Sequence, residues 1–96
     1  MAYTIVNNEK QMQFEIELEG DKALLEYRFY KKNIALMHTY VPPALEGRGL
    51  GSALAKHALE WAQGRGQKIM VYCPYVAAYL KRHPEYNDLV DRTYVG

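Results

Sequence analysis

One glycine-rich stretch divides the chain into two unlike halves: Glu46-Gly47-Arg48-Gly49-Leu50-Gly51. Glycine has no Cβ, so its backbone can come close to a ligand and can adopt angles that other residues avoid. The residues that follow have helical spacing, and the first N–H groups of a helix together with its dipole favour a bound anion. Arg48 adds a cation and Ser52 a hydroxyl. The stretch therefore indicates a site for a pyrophosphate.

The glycine spacing separates this turn from two other phosphate-binding turns. The dinucleotide fingerprint has the pattern G-x-G-x-x-G, whereas this chain has G-x-G-x-G. The P-loop requires a lysine before its serine or threonine, and here Gly51 directly precedes Ser52. A third interpretation is a flexible turn that starts a helix and binds nothing. Spacing alone leaves that interpretation open.

The residues before the glycines have the patterns of β-strands. Apolar and polar residues alternate over positions 12–19, which predicts a strand with one wet, acidic face. Runs at 22–30 and 34–41 follow turn residues, and a shorter candidate lies at 3–7. The run at 34–41 is apolar on both faces and is expected to be a central strand. Together these runs predict an antiparallel meander.

The pattern changes after the proline pair at positions 42–43, because proline disfavours both a strand ladder and helix in the residue before it. Positions 49–65 have helical spacing, with an apolar stripe that predicts one buried face. Gly64 and Gly66 lie at the expected C-terminal end of this helix.

A short apolar strand at 67–73 and a helix at 75–82 complete the predicted elements. The order β-β-β-β-α-β-α predicts an α+β fold, with a mostly antiparallel mixed sheet and one parallel crossover. Residues 1–96 are expected to form a single domain.

Composition argues against several classes of protein. The apolar share of 49% is that of a globular chain, and the net charge of +1 gives no strong attraction to nucleic acid or a membrane surface. No apolar run approaches the roughly 18 residues of a membrane helix, and the N-terminus lacks the pattern of a secretory signal. With Cys73 as the single cysteine, no internal disulfide forms and a cytoplasmic setting is expected. One cysteine and three scattered histidines predict no metal site.

Residues 41–54 resemble the central motif of the GNAT superfamily of N-acetyltransferases. That motif is Arg or Gln, two residues, Gly, one residue, then Gly or Ala, and Gly49 and Gly51 match its small positions. Glu46 departs from it, which affects a side-chain contact but not the backbone cradle. Residues 73–86 are similar to the C-terminal motif of a compact, single-domain GNAT subfamily.

The resemblance implies a minimal GNAT fold whose β-α-β core binds acetyl-CoA between the strands at 34–41 and 67–73. The cofactor-binding residues that it implies are Tyr40, Val41, Gly47, Arg48, Gly49, Leu50, Gly51 and Ser52, with Lys81 and Arg82 at the 3′-phosphate. A solvated basic helix end is an equal alternative for the last two.

Two side chains are candidates for the chemistry. Cys73 precedes the proline that starts the last helix, where a thiol ionises more readily to the nucleophilic thiolate and could carry the acetyl group. The resembled subfamily has cysteine at this place, while a small buried apolar side chain is the competing interpretation. His38, on the strand that leads to the cofactor, could serve as general base or could pack in the sheet. Direct transfer to the amine, without an acyl-cysteine, also stays open.

The resemblance implies an enzyme that transfers acetyl from acetyl-CoA to a primary amine, which the sequence does not identify. We expect a monomer or weak dimer, without a nucleic-acid or membrane partner. Because the chain lacks the extra elements that shape the acceptor pocket in larger GNAT domains, a non-catalytic acyl-CoA-binding module or partner-dependent sensor is the alternative. An α+β adaptor with an unused glycine turn is a third hypothesis.

Overall fold

A computed structural model describes residues 3–93, and within that range it contains five strands and two α-helices. In chain order they are β1 (Val6–Asn8), β2 (Gln13–Leu18), β3 (Asp21–Tyr30), β4 (Asn33–Tyr40), α1 (Leu50–Arg65), β5 (Ile69–Val71) and α2 (Pro74–Arg82). Two short 3-10 segments, Pro43–Leu45 and Pro84–Leu89, precede α1 and follow α2. The predicted order of elements and the α+β class are confirmed. No helix in this range has the length and apolar character needed to cross a bilayer.

Strand order in the sheet follows chain order, β1-β2-β3-β4-β5. The first four strands pair antiparallel with their neighbours, as the predicted meander requires. β5 then pairs parallel with β4 after the crossover through α1. This parallel pair places the C-terminal ends of β4 and β5, and the N-terminal ends of the helices that follow them, at the same edge of the sheet.

Both helices pack on one face of the sheet, because each buries an apolar stripe and the sheet offers one continuous apolar face. The alanines of α1 let the helix lie close to the strands, with Leu54 and Ala58 fully buried. Phe14, Tyr27 and Trp61 form an aromatic cluster at one end, with ring centroids 4.6–5.2 Å apart. The opposite face of the sheet is called the open face below.

The prediction of a wet, acidic face on the second strand is wrong for its first half. Gln13 and Glu15 are each only 8% exposed. The amides of Gln13 and Asn8 donate hydrogen bonds of 2.6 and 2.9 Å to Oε2 of Glu15, and Lys22 Nζ lies 3.5 Å from Oε1. Burial acts to raise the pKa of this carboxyl, but these hydrogen bonds and the lysine charge together hold the pKa below its ordinary value. Glu17, one repeat further on, is exposed as predicted.

Several predicted boundaries move, and the first strand lies at Val6–Asn8 rather than at residues 3–7. Gly64 lies inside α1, and Gly66 alone ends the helix, with a φ of 69° and an amide that bonds back to the last turn. β4 ends at Tyr40 rather than at Val41. β5 ends at Val71 because the chain turns away from the sheet, which makes Cys73 the residue before α2 rather than the end of a strand.

The buried Glu15 network predicts an acid-sensitive contribution to stability. A carboxyl with a lowered folded-state pKa stabilises the fold above its unfolded-state pKa, and this stabilisation is lost as the pH falls through the folded-state value. We expect the free energy of unfolding to fall more steeply between about pH 5 and pH 3 for the native protein than for Glu15→Gln.

Urea titrations followed by circular dichroism at several pH values would measure this difference. Glu17→Gln, which removes an exposed carboxylate from the same strand, is the matched control and should keep the native pH dependence. Equal pH dependence in the native protein and Glu15→Gln would contradict the assignment.

Candidate functional site

A cavity of about 380 Å³ lies between the glycine turn with the first residues of α1 and one side of α2. Its lining consists of Val41, Leu45, Glu46, Gly47, Gly49, Leu50, Gly51, Ser52, Tyr75, Ala78 and Arg82. The lining therefore includes seven of the ten residues that the sequence predicts to bind cofactor. Arg48, Tyr40 and Lys81 are outside it.

The backbone of the glycine turn explains why glycine is needed here. Gly47 and Gly49 have φ values of 84° and 75°, a region that other residues adopt only with strain. Gly49 caps α1, and its carbonyl accepts a hydrogen bond of 3.0 Å from the amide of Ala53. The first amides of α1, at residues 50–52, have no acceptor within the helix. They border the cavity and are donors for an anion.

Gly51 allows the starts of the two helices to come together. A Cβ at this position would lie 2.4 and 2.6 Å from two ring carbons of Tyr75, closer than atoms can approach. The ring therefore rests directly on the backbone of α1 and forms one wall of the cavity. The sequence shows the glycine but carries no signal for its aromatic neighbour.

Two arginines near the turn are placed differently. Arg82 borders the cavity, and its Nη2 donates a hydrogen bond of 3.1 Å to Oγ of Ser52 across the helix pair. Arg48 lies outside the cavity and forms a two-point ion pair with Glu19 in the β2–β3 turn, at 2.6 and 3.2 Å. The hydrogen bond from this arginine holds the pKa of the Glu19 carboxyl below its ordinary value. Lys81 is exposed on α2.

Beyond the cavity, β4 and β5 separate. They pair from Ile34 to Leu36, and the amide of Tyr72 still donates a 3.0 Å hydrogen bond to the Leu36 carbonyl. The neighbouring residues Glu26 and Tyr27 of β3 pair with His38 and Leu36 of β4. Met37, between these two partners, is therefore an extra residue that forms a β-bulge. A bulge bends its strand and increases its twist. We call the resulting opening, between residues 37–40 and residues 72–74, the β4–β5 gap.

A hydroxyl and a thiol meet across this gap. Oγ1 of Thr39 and Sγ of Cys73 share a hydrogen bond of 2.8 Å, and the two side chains are 7% and 1% exposed. Cys73 is the N-cap residue of α2, and its carbonyl accepts the amide of Ala77 at 3.0 Å. Thr39 was not among the predicted site residues, although a hydroxyl at an inward position of an apolar strand was a usable signal.

His38 and Cys73, the two predicted catalytic residues, lie on different sides of the sheet. Successive strand side chains point to opposite faces, and Thr39 faces the thiol while its neighbours His38 and Tyr40 are exposed. The histidine is thus placed to meet a group arriving from the open face. Residues 3–93 contain no cluster of three metal-ligating side chains.

Comparison with known proteins places these features in a family. The model of the GCN5-related N-acetyl-transferase family matches residues 13–89. Protein NATD1 of Danio rerio is 37% identical over 91 residues, covering 90% of this chain and 83% of its own. For Protein NATD1 of Homo sapiens the identity is 36% over 83 residues, covering 83% of this chain and 74% of its own.

A solved structure supports the same assignment. The NMR solution structure of a GCN5-like protein from Staphylococcus aureus matches with a TM-score of 0.72 and 28% identity, covering 93% of this chain and 88% of that one. The glycine turn and the parallel β4–β5 pair both lie inside the region that the family model matches. The chain belongs to the GCN5-related N-acetyltransferase family and is a compact GNAT domain.

Proposed function

We propose that this protein is an N-acetyltransferase that transfers acetyl from acetyl-CoA to a primary amine. The observation that carries the proposal is the β4–β5 gap, across which a buried thiol and a buried hydroxyl meet. The gap lies beside the free amides of residues 50–52, which we call the amide cradle. Members of the GNAT family generally use acetyl-CoA, which supplies the acetyl group as a reactive thioester.

The residues around the cavity suit the pyrophosphate of this cosubstrate. The amides at residues 50–52 supply donors, and the missing Cβ of Gly51 lets the Tyr75 ring close the wall. Arg82 supplies a cation that already reaches across to Ser52, and with Lys81 it is proposed to bind the 3′-phosphate. Glu46 is the acidic residue of the described lining, and its carboxylate repels a bound anion.

The gap itself is proposed to hold the reactive end of the cosubstrate. β4 continues to Tyr40 after its pairing with β5 has ended. Its backbone there is not used by β5, and amides near Tyr40 and Val41 can stabilise negative charge on the acetyl oxygen. In this proposal the acetyl carbonyl lies near the thiol of Cys73.

Cys73 is proposed to act as nucleophile. Its sulfur bonds to the acetyl carbon as the bond from that carbon to the sulfur of coenzyme A breaks, and coenzyme A leaves as the thiol with the proton. The amine then attacks the acetyl carbon from the open face, and the bond from that carbon to the sulfur of Cys73 breaks. His38 takes the proton that the amine loses, and this proton returns through solvent to the thiolate, which restores the thiol. The Thr39 hydroxyl, 2.8 Å from Sγ, positions the thiol and can donate a hydrogen bond to the thiolate. Direct attack of the amine on acetyl-CoA is the alternative route.

The contact between Gly51 and Tyr75 predicts a selective loss of coenzyme A binding. In Gly51→Ala the new methyl group must displace the ring, an overpacking that costs roughly 1–3 kcal/mol and opens the wall of the cavity. We expect the rise in melting temperature on adding coenzyme A to shrink strongly.

Gly64→Ala is the matched control, since a Cβ there meets nothing within 4 Å in the same helix. It should keep the coenzyme A effect and raise stability by about 0.5–1 kcal/mol. The cradle assignment fails if both variants retain the native response to coenzyme A.

The thiol and hydroxyl contact predicts the behaviour of the acyl-enzyme. Incubation with acetyl-CoA should add one acetyl group that maps to Cys73, is released by hydroxylamine and is absent from Cys73→Ala. Thr39→Val should slow its formation by about fivefold, the effect of losing one hydrogen bond of about 1 kcal/mol. Thr39→Ser keeps the hydroxyl and should stay near the native rate.

Intact-protein mass spectrometry over time measures these rates. Amine turnover by Cys73→Ala at the native rate would exclude the acyl-cysteine and leave direct transfer. Stabilisation by coenzyme A without turnover of any amine would instead favour the acyl-CoA-binding module.

A further inference from the structure

A second and larger cavity, of about 720 Å³, lies on the open face of the sheet. We call it the open-face groove and define it by Arg28, Tyr30, Lys31, Met37, Tyr72 and Asp91. None of the residues discussed for binding coenzyme A lines it. It is therefore a separate surface.

One end of this groove reaches the β4–β5 gap. Met37 is the bulged residue of β4, and Tyr72 directly precedes Cys73. Both side chains line the open-face groove and are exposed, so they point away from the face that carries the helices. A molecule in the groove would approach the gap from the side opposite the amide cradle, where His38 is exposed.

The floor of the groove is mainly apolar, whereas its far end is basic. Aromatic and methionine side chains form the floor, and Tyr30, Met37 and Tyr72 are 54%, 39% and 41% exposed. At the β3–β4 turn the lining becomes basic, with Arg28, Lys31 and Lys32.

The basic end is only partly offset by nearby acid, since Lys32 interacts electrostatically with Asp91 without forming an ion pair. Nη1 of Arg28 donates to the carbonyl of its neighbour Tyr27, and Nζ of Lys31 lies 5.5 Å from the centre of the Tyr30 ring. The ion pairs formed within residues 3–93 do not include Arg28, Lys31 or Lys32. Asp91 is the acid of the lining, and its carboxylate accepts hydrogen bonds from Asn33 and Thr93. Three bases and one acid give the lining a charge of +2, although the whole chain carries only +1.

We propose that the open-face groove binds the acceptor as an extended acidic peptide segment, with its amine in the β4–β5 gap and its carboxylates over Arg28, Lys31 and Lys32. The inference rests on the proposed acetyl transfer and names the class of acceptor. Lys32 lies in the turn that precedes β4, and Met37 is five residues further along the chain, a span of at most roughly 17 Å. An extended peptide covers that distance in about five residues, which puts the acidic positions some four to six residues from the amine.

The test uses two labelled peptides with a free N-terminal glycine, one with glutamates at positions five to seven and one with glutamines there. Fluorescence anisotropy without acetyl-CoA measures binding, and mass spectrometry with acetyl-CoA measures acetylation of the N-terminus. We expect the glutamate peptide to bind about tenfold more tightly at low salt, and the preference to shrink as salt is added.

Charge reversal provides the matched variants. Lys31→Glu with Lys32→Glu should remove the preference for the glutamate peptide. Lys56→Glu, which reverses an exposed charge on α1 away from the groove, should retain it. Stabilisation by coenzyme A should persist in both variants, because neither change touches the amide cradle.

Several results would overturn the inference. Equal binding of the two peptides would exclude the acidic acceptor while leaving the coenzyme A site intact. Tighter binding of a uridine oligonucleotide than of the glutamate peptide would make the groove a nucleic-acid surface. A change of sedimentation coefficient in the doubly reversed variant would make it a contact between copies of the chain. If coenzyme A does not raise the melting temperature of the native protein, the proposed acetyltransferase activity is rejected, whatever the peptides do.

Discussion

The structure depends on the early separation of two parallel strands. β4 and β5 share a ladder only over Ile34–Leu36, after which a bulge bends β4 and the chain leaves β5 for a helix. A sheet with continuous pairing would have used the backbone of β4 and would have buried the thiol of Cys73 without an opening beside it. The separation instead leaves a gap whose walls are strand backbone on one side and a helix start on the other.

The parallel arrangement also brings the positive ends of two helices to this gap. α1 and α2 each follow a strand that ends at the same edge of the sheet, so their N-termini converge. The fractional positive charge of a helix start favours anions, and two such ends together with Arg82 oppose the carboxylate of Glu46 at this corner. Close approach is sterically possible because Gly51 carries no side chain beneath the ring of Tyr75.

Sequence patterns predicted what depends on short-range chemistry. The glycine spacing, the proline that begins α2 and the strand periodicity located the turn, both helices and the parallel crossover, because each depends on local backbone preference. The buried Glu15 was missed because alternation shows which face a side chain takes, not which neighbours cover it. Thr39 and Cys73 are 34 residues apart, and the partner of Arg48 lies 29 residues away in another turn. Contacts at such separations are decided by the assembled sheet.

Sheet order that follows chain order has a kinetic consequence. Each antiparallel neighbour is joined by a short turn, whereas pairing Ile34 with Ile69 requires the chain to close over the whole of α1. Loop closure costs entropy that grows with the length of the segment, so non-local pairs form later than hairpins. The meander therefore assembles before the parallel pair. The β4–β5 gap and the helix starts beside it are then the last part of the molecule to become ordered. A bound cosubstrate that contacts both sides of the gap would stabilise this last step of folding.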